Sequence, residues 1–437
     1  MKTFSILAMT VLGSAAAVAA LPTVSNMEVS SVGPGSRTVT VSYDLDMTAV
    51  VTFDVKTNGV SIGTAAGDVG GEADKIVLAG TGRKAYWTPH HLWPGFSPSD
   101  IEVELRAWSL DAPPTYMVVD AHNGVTRYYA DAETIPYGGV TNKMYKDTHL
   151  VMRKIPAANV IWTMGSTAAN ASSVKREIMH RVKLSSDYYM AIYEFTQGQF
   201  LSATNAANPS STWTSTPRIN PRHRPLDKYS LVSMRGDVKC AAADPTPTSL
   251  LGVLRSRSGL ALDLPNAAQW EFACRGGRPG NITVAGAKSV DEIAWHSGNW
   301  QNDPAMAERV AAGLTTAPHE VGILPCNAFG LYDMQGNVFE YSVDFIGTDT
   351  EAGTIATFGD SIGTDTDGQK IYGDPPVQTG SQSTTTCMLS QKYSDGSGNN
   401  LLSPGRHAGG RTATTAEGGV GFRLICPVVH AGRIVAP

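Results

Sequence analysis

Asn327-Ala328-Phe329-Gly330-Leu331-Tyr332-Asp333-Met334-Gln335-Gly336-Asn337-Val338-Phe339-Glu340-Tyr341 is the run around which the rest of the chain is organised. It brings apolar anchors, two glycines and two carboxylates into one short stretch. Gly330 and Gly336 permit backbone turns that a Cβ would resist. Asp333 and Glu340 can turn inward only where something cationic meets them, because an unpaired buried carboxylate is very costly. A hard cation held by carboxylates and backbone carbonyls meets that demand. An arginine meets it equally, and Arg423 is a candidate.

Outward from this run, the chain has 437 residues, more than one ordinary core holds, so two domains are expected. A charged content of 17% beside 44 glycines and 25 prolines describes a charge-poor, loop-rich globular protein. The net charge of −5 offers no basic footprint for nucleic acid. At the N-terminus Lys2 precedes an apolar run, Phe4 to Val11, and then small residues, Ser14 to Ala20. This is the pattern of a secretory signal peptide over 1–20, which implies an extracytoplasmic or secreted protein. The run is shorter than the roughly 20 residues a membrane span needs, and no later stretch is apolar enough to span. The five cysteines, Cys240, Cys274, Cys326, Cys387 and Cys426, form no CxxC, which excludes the usual zinc and dithiol patterns. Export permits disulfides, and an odd count leaves at least one thiol free or paired between molecules.

From 22 to 119 the pattern has period two. Thr38–Tyr43, Val50–Val55 and Ile101–Trp108 alternate, and Asn58-Gly59 supplies a tight turn. Short alternating strands with regular turns predict an antiparallel β-sandwich of immunoglobulin or fibronectin type, acting as a spacer or adhesion module. Adjacent residues of a strand point to opposite faces, so His90-His91 is no metal pair. The stretch 120–147 reads as a linker.

Beyond it, 148–428 reads as an irregular α+β domain. Val151–Pro156 and Ile161–Ser166 predict a strand pair, and His180–Leu184 another strand. Thr196 with Gln199 predicts a capping box opening a helix. A second helix covers Leu250–Arg257 and stops at Gly259. A third starts at Asn266, with Gln269 three residues on, and ends at Gly276. Loops dominate after 277, and Val420–Ile425 closes the chain as a last strand.

Thr163-Met164-Gly165-Ser166, Tyr189-Met190 to Gln197, Leu264-Pro265 to Gly277, the run Asn327–Tyr341 and Gly421-Phe422-Arg423-Leu424 occur in that order. Together they resemble the successive signatures of the sulfatase-modifying-factor family, the formylglycine-generating-enzyme domain. The resemblance covers about two-thirds of the chain, and several independent motifs carry it. It implies an irregular α+β fold related to C-type lectins. It also implies oxygen-dependent oxidation of a substrate cysteine to formylglycine, on copper held by two cysteines. Those cysteines follow the serine of a Gly-Gly-Ser motif, here matched by Thr379-Gly380-Ser381. Their positions fall on Thr384 and Leu389, with Cys387 between them. Cu(I) selects soft thiolates, and one thiolate cannot reproduce a two-thiolate site, so copper and formylglycine generation are not expected. Cys387 and Ser381 remain the candidate catalytic residues.

The resemblance further implies a structural Ca²⁺ held by the side chains of Asp333 and Glu340 and the carbonyls of Gly336 and Val338. Both acidic positions keep oxygen ligands, as a hard cation needs, while pairing of Glu340 with an arginine is the alternative. Asn299 matches a ligand of the family's second calcium. Asp365-Thr366-Asp367-Gly368 lacks the further acids of a calcium loop and reads as a solvated turn. His180, His296 and His407 read as structural. Three functions follow as expectations. The first is an extracytoplasmic binding module for a glycan, peptide or protein that has lost the oxidase activity. The second is an active family enzyme using Cys387, and the third is a structural surface protein.

Overall fold

The computed structural model describes residues 21–428 except 32–36, 63–66, 90–100, 166–178, 211–219, 237–243, 279–288, 304–305, 309–316, 346–360, 374–384, 391 and 395–405. The expected signal peptide, His90-His91, Cys240, Ser381 and Thr384 lie outside the described residues. No helix among the described residues is long and apolar enough to cross a membrane.

The N-terminal part carries Val24–Ser31 (β1), Val39–Leu45 (β2), Ala49–Thr57 (β3), Val60–Ser61 (β4), Gly67–Gly71 (β5), Lys75–Val77 (β6), Gly80–Pro89 (β7) and Glu102–Trp108 (β8). One antiparallel sheet runs β1-β2-β7-β5. In the other, β3 pairs with β8 along one edge and with β4 and β6 along the opposite edge. Period-two alternation sorts β2, so that Val39, Val41, Tyr43 and Leu45 are buried and the residues between them are not. With Val51, Phe53, Val55, Ala85 and Trp87 they close one apolar core between the sheets. Asn58 and Gly59 turn β3 into β4 with φ of 52° and 75°, the left-handed pair that a two-residue hairpin requires.

Tyr116–Asp120 (β9), Thr126–Tyr129 (β10) and Met144–Asp147 (α1) follow. The stretch 120–147 is folded and divided. Residues Thr126–Asn142 join the first compact unit, and Val119–Val125 join Lys143–Pro427 in the second. Its apolar residues Tyr128, Tyr129, Ile135 and Tyr145 are buried, which orders it.

In the second unit His149–Ile155 (β11), Ile161–Met164 (β12), His180–Lys183 (β13) and Tyr188–Ala191 (β14) precede the helices Gln197–Ala203 (α2), Leu231–Arg235 (α3), Leu250–Ser258 (α4) and Ala267–Cys274 (α5). Then come Phe339–Phe345 (β15), Ser361–Thr364 (β16), Lys370–Tyr372 (β17), Thr385–Leu389 (β18), Arg406–Thr412 (β19), Val420–Gly421 (β20) and Ile425–Pro427 (β21). Strand β14 lies between β11 and β21, one further sheet runs β12-β13-β17-β16, and another runs β19-β18-β15-β20. Both β11 and β12 form where the alternation placed them, but they do not pair with each other. β11 pairs with β14, and β12 with β13.

The helix starts follow local chemistry. Thr196 Oγ1 accepts from Gln199 N at 3.1 Å while Gln199 Oε1 accepts from Thr196 N at 3.0 Å. Asn266 and Gln269 exchange the same pair of bonds at 2.7 and 3.0 Å. α4 ends on Gly259 in the left-handed region, φ 69°. The last strand is broken. Phe422-Arg423-Leu424 separates β20 from β21 because Arg423 turns fully inward, with 0% exposure.

In the first unit Asp74 is 1% exposed, and its carboxylate accepts from Phe53 N at 2.8 Å. Burial pushes this carboxyl up to about 7, opposed by the Phe53 amide and by Arg127. A carboxyl that holds its proton more tightly when folded stabilises below its unfolded pKa of about 3.9, and that stability is lost as pH rises through the folded value. The first unit is therefore expected to be more resistant to urea at about pH 5 than at about pH 8. Asp74→Asn keeps the acceptor for Phe53 and removes the charge, so it should flatten that difference; an unchanged pH slope in the variant would refute the assignment.

Candidate functional site

Each polar residue of the run 327–341 is committed to a different part of the second unit. Asn327 Nδ2 donates to the carbonyls of Ala273 and Cys274 at 2.8 and 3.0 Å, capping the end of α5. Its Oδ1 accepts from Phe329 N and Leu331 N at 2.9 and 3.2 Å. Both donors and both acceptor sites of the amide are then satisfied. Gly336 has φ 76°, and a Cβ there would stand 2.3 Å from the Trp295 carbonyl oxygen. Only glycine fits that approach. Asp333 and Asn337 are also left-handed, φ 52° and 56°, at residue types that tolerate it.

The centre is a buried charge cluster. Arg423 Nε donates to Glu340 Oε1 and Oε2 at 2.9 and 2.8 Å, and Nη2 donates to Oε1 at 2.7 Å. Trp270 Nε1 donates to Glu340 Oε2 at 2.7 Å. Nη2 also reaches the Tyr332 carbonyl at 3.0 Å, and Nη1 the Ala191 carbonyl at 3.3 Å. Glu194, 0% exposed, accepts from Asn337 Nδ2 at 2.7 Å and from Val338 N at 3.3 Å. Asp333 Oδ2 accepts from Gly322 N at 2.6 Å, while its buried Oδ1 has no partner.

Three carboxyls thus surround one guanidinium. Burial, then the charges of Asp333 and Glu340, pushes Glu194 well above the usual carboxylate range. Burial raises Asp333 to about 6 against the Gly322 amide and Arg423. Burial works against the charge of Arg423, but Glu340 outweighs it and holds the guanidinium proton more firmly than usual.

Of the two partners open to Glu340, this geometry supplies the arginine: both carboxylate oxygens are engaged by Arg423 and Trp270, while Asp333 Oδ1 keeps its capacity to accept. Among the described residues no three His, Cys, Asp or Glu side chains are grouped to hold a metal ion. Gly336 and Val338 serve the run through a close approach to Trp295 and an amide bond to Glu194. Asn299 is spent on its own loop. Its Oδ1 accepts from His296 N at 2.8 Å, and its Nδ2 donates to the Asp291 and Ala294 carbonyls at 3.1 and 2.7 Å. Asp365 Oδ1 closes its turn by accepting from Asp367 N and Gln369 N at 3.0 and 2.8 Å.

Of the candidate catalytic residues, Ser381 lies outside the described residues and the backbone alone places Cys387. Cys387 lies in β18 opposite Ala408 of β19. Leu389, at the second copper-cysteine position, is 0% exposed and opposite Glu340. The described cysteines Cys274, Cys326 and Cys426 are free thiols. Burial pushes Cys274 and Cys426 up to about 12, far from the thiolate that nucleophiles and metal ligands require.

Glu194, Asn337 and the pair Glu271–Arg275 escaped the sequence reading as site residues. Glu271 accepts from Gly165 N at 2.7 Å, and Arg275 donates to Gly165 O at 2.6 Å, clamping both peptide groups of the Met164-Gly165 motif. A lone acid inside the apolar run Tyr193-Glu194-Phe195 was the available signal for Glu194, since an acid amid apolar residues marks a buried charge with a partner.

Removing one partner of a buried ion pair leaves the other uncompensated, at about 3–5 kcal/mol. Arg423→Met should therefore lower unfolding stability by about that amount at neutral pH, and adding Glu340→Gln should recover part of the loss. Denaturant titration of both variants checks it, and a single-variant loss below about 1 kcal/mol would show that the pair is not the keystone described.

The Sulfatase-modifying factor enzyme 1-like domain matches residues 148–426. The chaperone protein LppX of Paenibacillus barcinonensis is 38% identical over 88 residues, 18% of this chain and 29% of that protein. The formylglycine-generating enzyme of Mus musculus is 34% identical over 83 residues, 19% of this chain and 22% of that protein. These two alignments therefore span less than a third of either relative's length. Among solved structures, Treponema denticola variable protein 1 aligns with a TM-score of 0.45 at 17% identity, over 64% of this chain and 96% of that one. PvdO from Pseudomonas aeruginosa aligns with a TM-score of 0.44 at 17% identity, over 64% and 94%. Since the family match runs through 148–426, well over half of the sequence, this chain belongs to the sulfatase-modifying-factor, or formylglycine-generating-enzyme, family.

Proposed function

We propose that this chain is an exported, non-catalytic member of the family, whose second unit binds a glycan, peptide or protein through its loops and whose all-β first unit acts as a spacer. The observation that carries the reading is Leu389. A buried aliphatic side chain occupies the second copper-cysteine position and packs in the β15–β18 ladder beside Glu340. A soft thiolate is what Cu(I) needs there, and Leu389 has no ligand atom to offer. The hydroxyl of Thr384 at the first position is hard and stays protonated. The buried thiols Cys274 and Cys426 do not replace the pair.

A cysteine-bearing sulfatase peptide incubated with Cu(I)-loaded protein and oxygen should gain no formylglycine by mass analysis. Copper-dependent conversion would overturn the proposal in favour of an enzyme using Cys387. Binding to glycan and peptide arrays separates a binding module from a purely structural surface protein, which should give no selective signal.

We further propose that the Arg423–Glu340 pair stabilises the run 327–341 in place of calcium. A chelator should then leave the melting temperature unchanged, and elemental analysis should find no stoichiometric calcium. A ligand binding only the folded state stabilises by about 2.7 kcal/mol at a hundredfold excess over Kd. A chelator-induced fall in melting temperature, reversed by calcium, would therefore restore the metal reading.

A further inference from the structure

The segment 317–322 runs between the organising stretch and the short turn Pro221–His223, and its backbone is bonded on both sides. His319 N donates to Asn337 Oδ1 at 2.7 Å, and Asn337 Nδ2 reaches back to His319 O at 3.4 Å. Val321 N donates to His223 O at 3.0 Å, and Gly322 N to Asp333 Oδ2 at 2.6 Å. Arg224 Nη1 donates to the carbonyl of Pro318.

In the middle of this segment the His319 side chain is 0% exposed. Its ring stacks on Trp295, centroids 3.9 Å apart and planes 7° from parallel. Nδ1 lies 3.1 Å from Asp303 Oδ2, and Nε2 has no hydrogen-bond partner. One tautomer satisfies this geometry: a neutral ring whose Nδ1–H donates to the Asp303 carboxylate.

We propose that His319 is an acid-sensitive latch: neutral, it holds 317–322 against Asn337, and protonated, it loosens that hold. A second proton must go on Nε2, which is buried and makes no hydrogen bond in this packing, the Trp300 carbonyl being the one backbone acceptor that offsets the cost. It also adds a buried positive charge one residue from the carbonyl that Arg224 engages. The groups facing the ring are Asp303, the Trp300 carbonyl and Arg224. Burial is the largest influence and lowers the imidazole below its ordinary range; Arg224 acts the same way, while Asp303 and the Trp300 carbonyl oppose it. A base lowered in the fold contributes stability that is fully present above its unfolded pKa, about 6.5, and is lost as pH falls through the folded value.

The raised carboxyls Asp74, Glu194 and Asp333 have the opposite sign, since they lose stability as pH rises, and so they cannot produce a loss on acidification. His149 is lowered as well, by burial against Asp120, but it belongs to β11, and its opening would appear in peptides covering 149–155.

Hydrogen–deuterium exchange of the full-length protein tests the latch, read on peptides covering 317–322 and corrected for the intrinsic pH dependence of exchange. Protection of these peptides should fall at least about tenfold between about pH 7.5 and about pH 5. His319→Gln keeps a donor for Asp303 and cannot titrate, so its profile should be flat. Asp303→Asn removes the one charge that favours the imidazolium and should move the wild-type step to lower pH. A flat wild-type profile, an unchanged step in His319→Gln, or a loss shared equally by all peptides of the second unit would each overturn the proposal.

Discussion

A guanidinium with no solvent exposure sits at the centre of the second unit, and the fold is arranged to neutralise it. Taking an arginine and a glutamate out of water costs several kcal/mol for each ion, so the pair persists only with dense hydrogen bonding around it. Arg423 and Glu340 meet this condition through a two-pronged contact, the Trp270 indole and backbone carbonyls at Ala191 and Tyr332. The contacts come from β14, α5, the run 327–341 and the break between β20 and β21. Four motifs far apart in the sequence are thus held by one charge.

Around this centre, side-chain amides and carboxylates do work that ladders do in more regular domains. Asn327 ties its loop to the end of α5, Asn337 ties the run to Glu194 and His319, and Glu271 with Arg275 pins the peptide groups of Gly165. A loop-rich chain has many backbone groups without strand or helix partners, and buried ones must still be paired. Fully satisfied networks of this kind rigidify a core, while a half-satisfied one costs more than apolar packing would. The polar residues of the family motifs accordingly bind the second unit together. Most of their charges and amides point at one another, with Asp333 Oδ1 the buried carboxylate oxygen left without a partner.

That arrangement separates scaffold from chemistry. The scaffold motifs of the family are present and mutually engaged, and Leu389, opposite Glu340 in the β15–β18 ladder, is fully packed. The described side-chain hydrogen bonds of the Arg423 cluster come from Glu340, Trp270 and backbone carbonyls, and the Leu389 side chain offers none. A scaffold held together by its own buried charges is a frame on which sites can differ from one member of a family to another.

Local patterns were legible because local physics sets them. The capping boxes at Thr196 and Asn266, the stop at Gly259, the Asn58-Gly59 turn and the alternation of β2 depend on residues a few positions apart. The family motifs likewise placed the α+β domain over 148–428. What only the tertiary structure decided concerns partners. β11 and β12 alternate as expected, yet each bonds to a different sheet, because alternation marks a strand without naming its neighbour. The sequence required a cation for Glu340 but left open which one. The answer lies 83 positions away at Arg423, whose turn inward also breaks the predicted last strand. Glu194 stayed hidden for the same reason. A buried charge is specified by what surrounds it in space, and the chain order of its partners carries no distance.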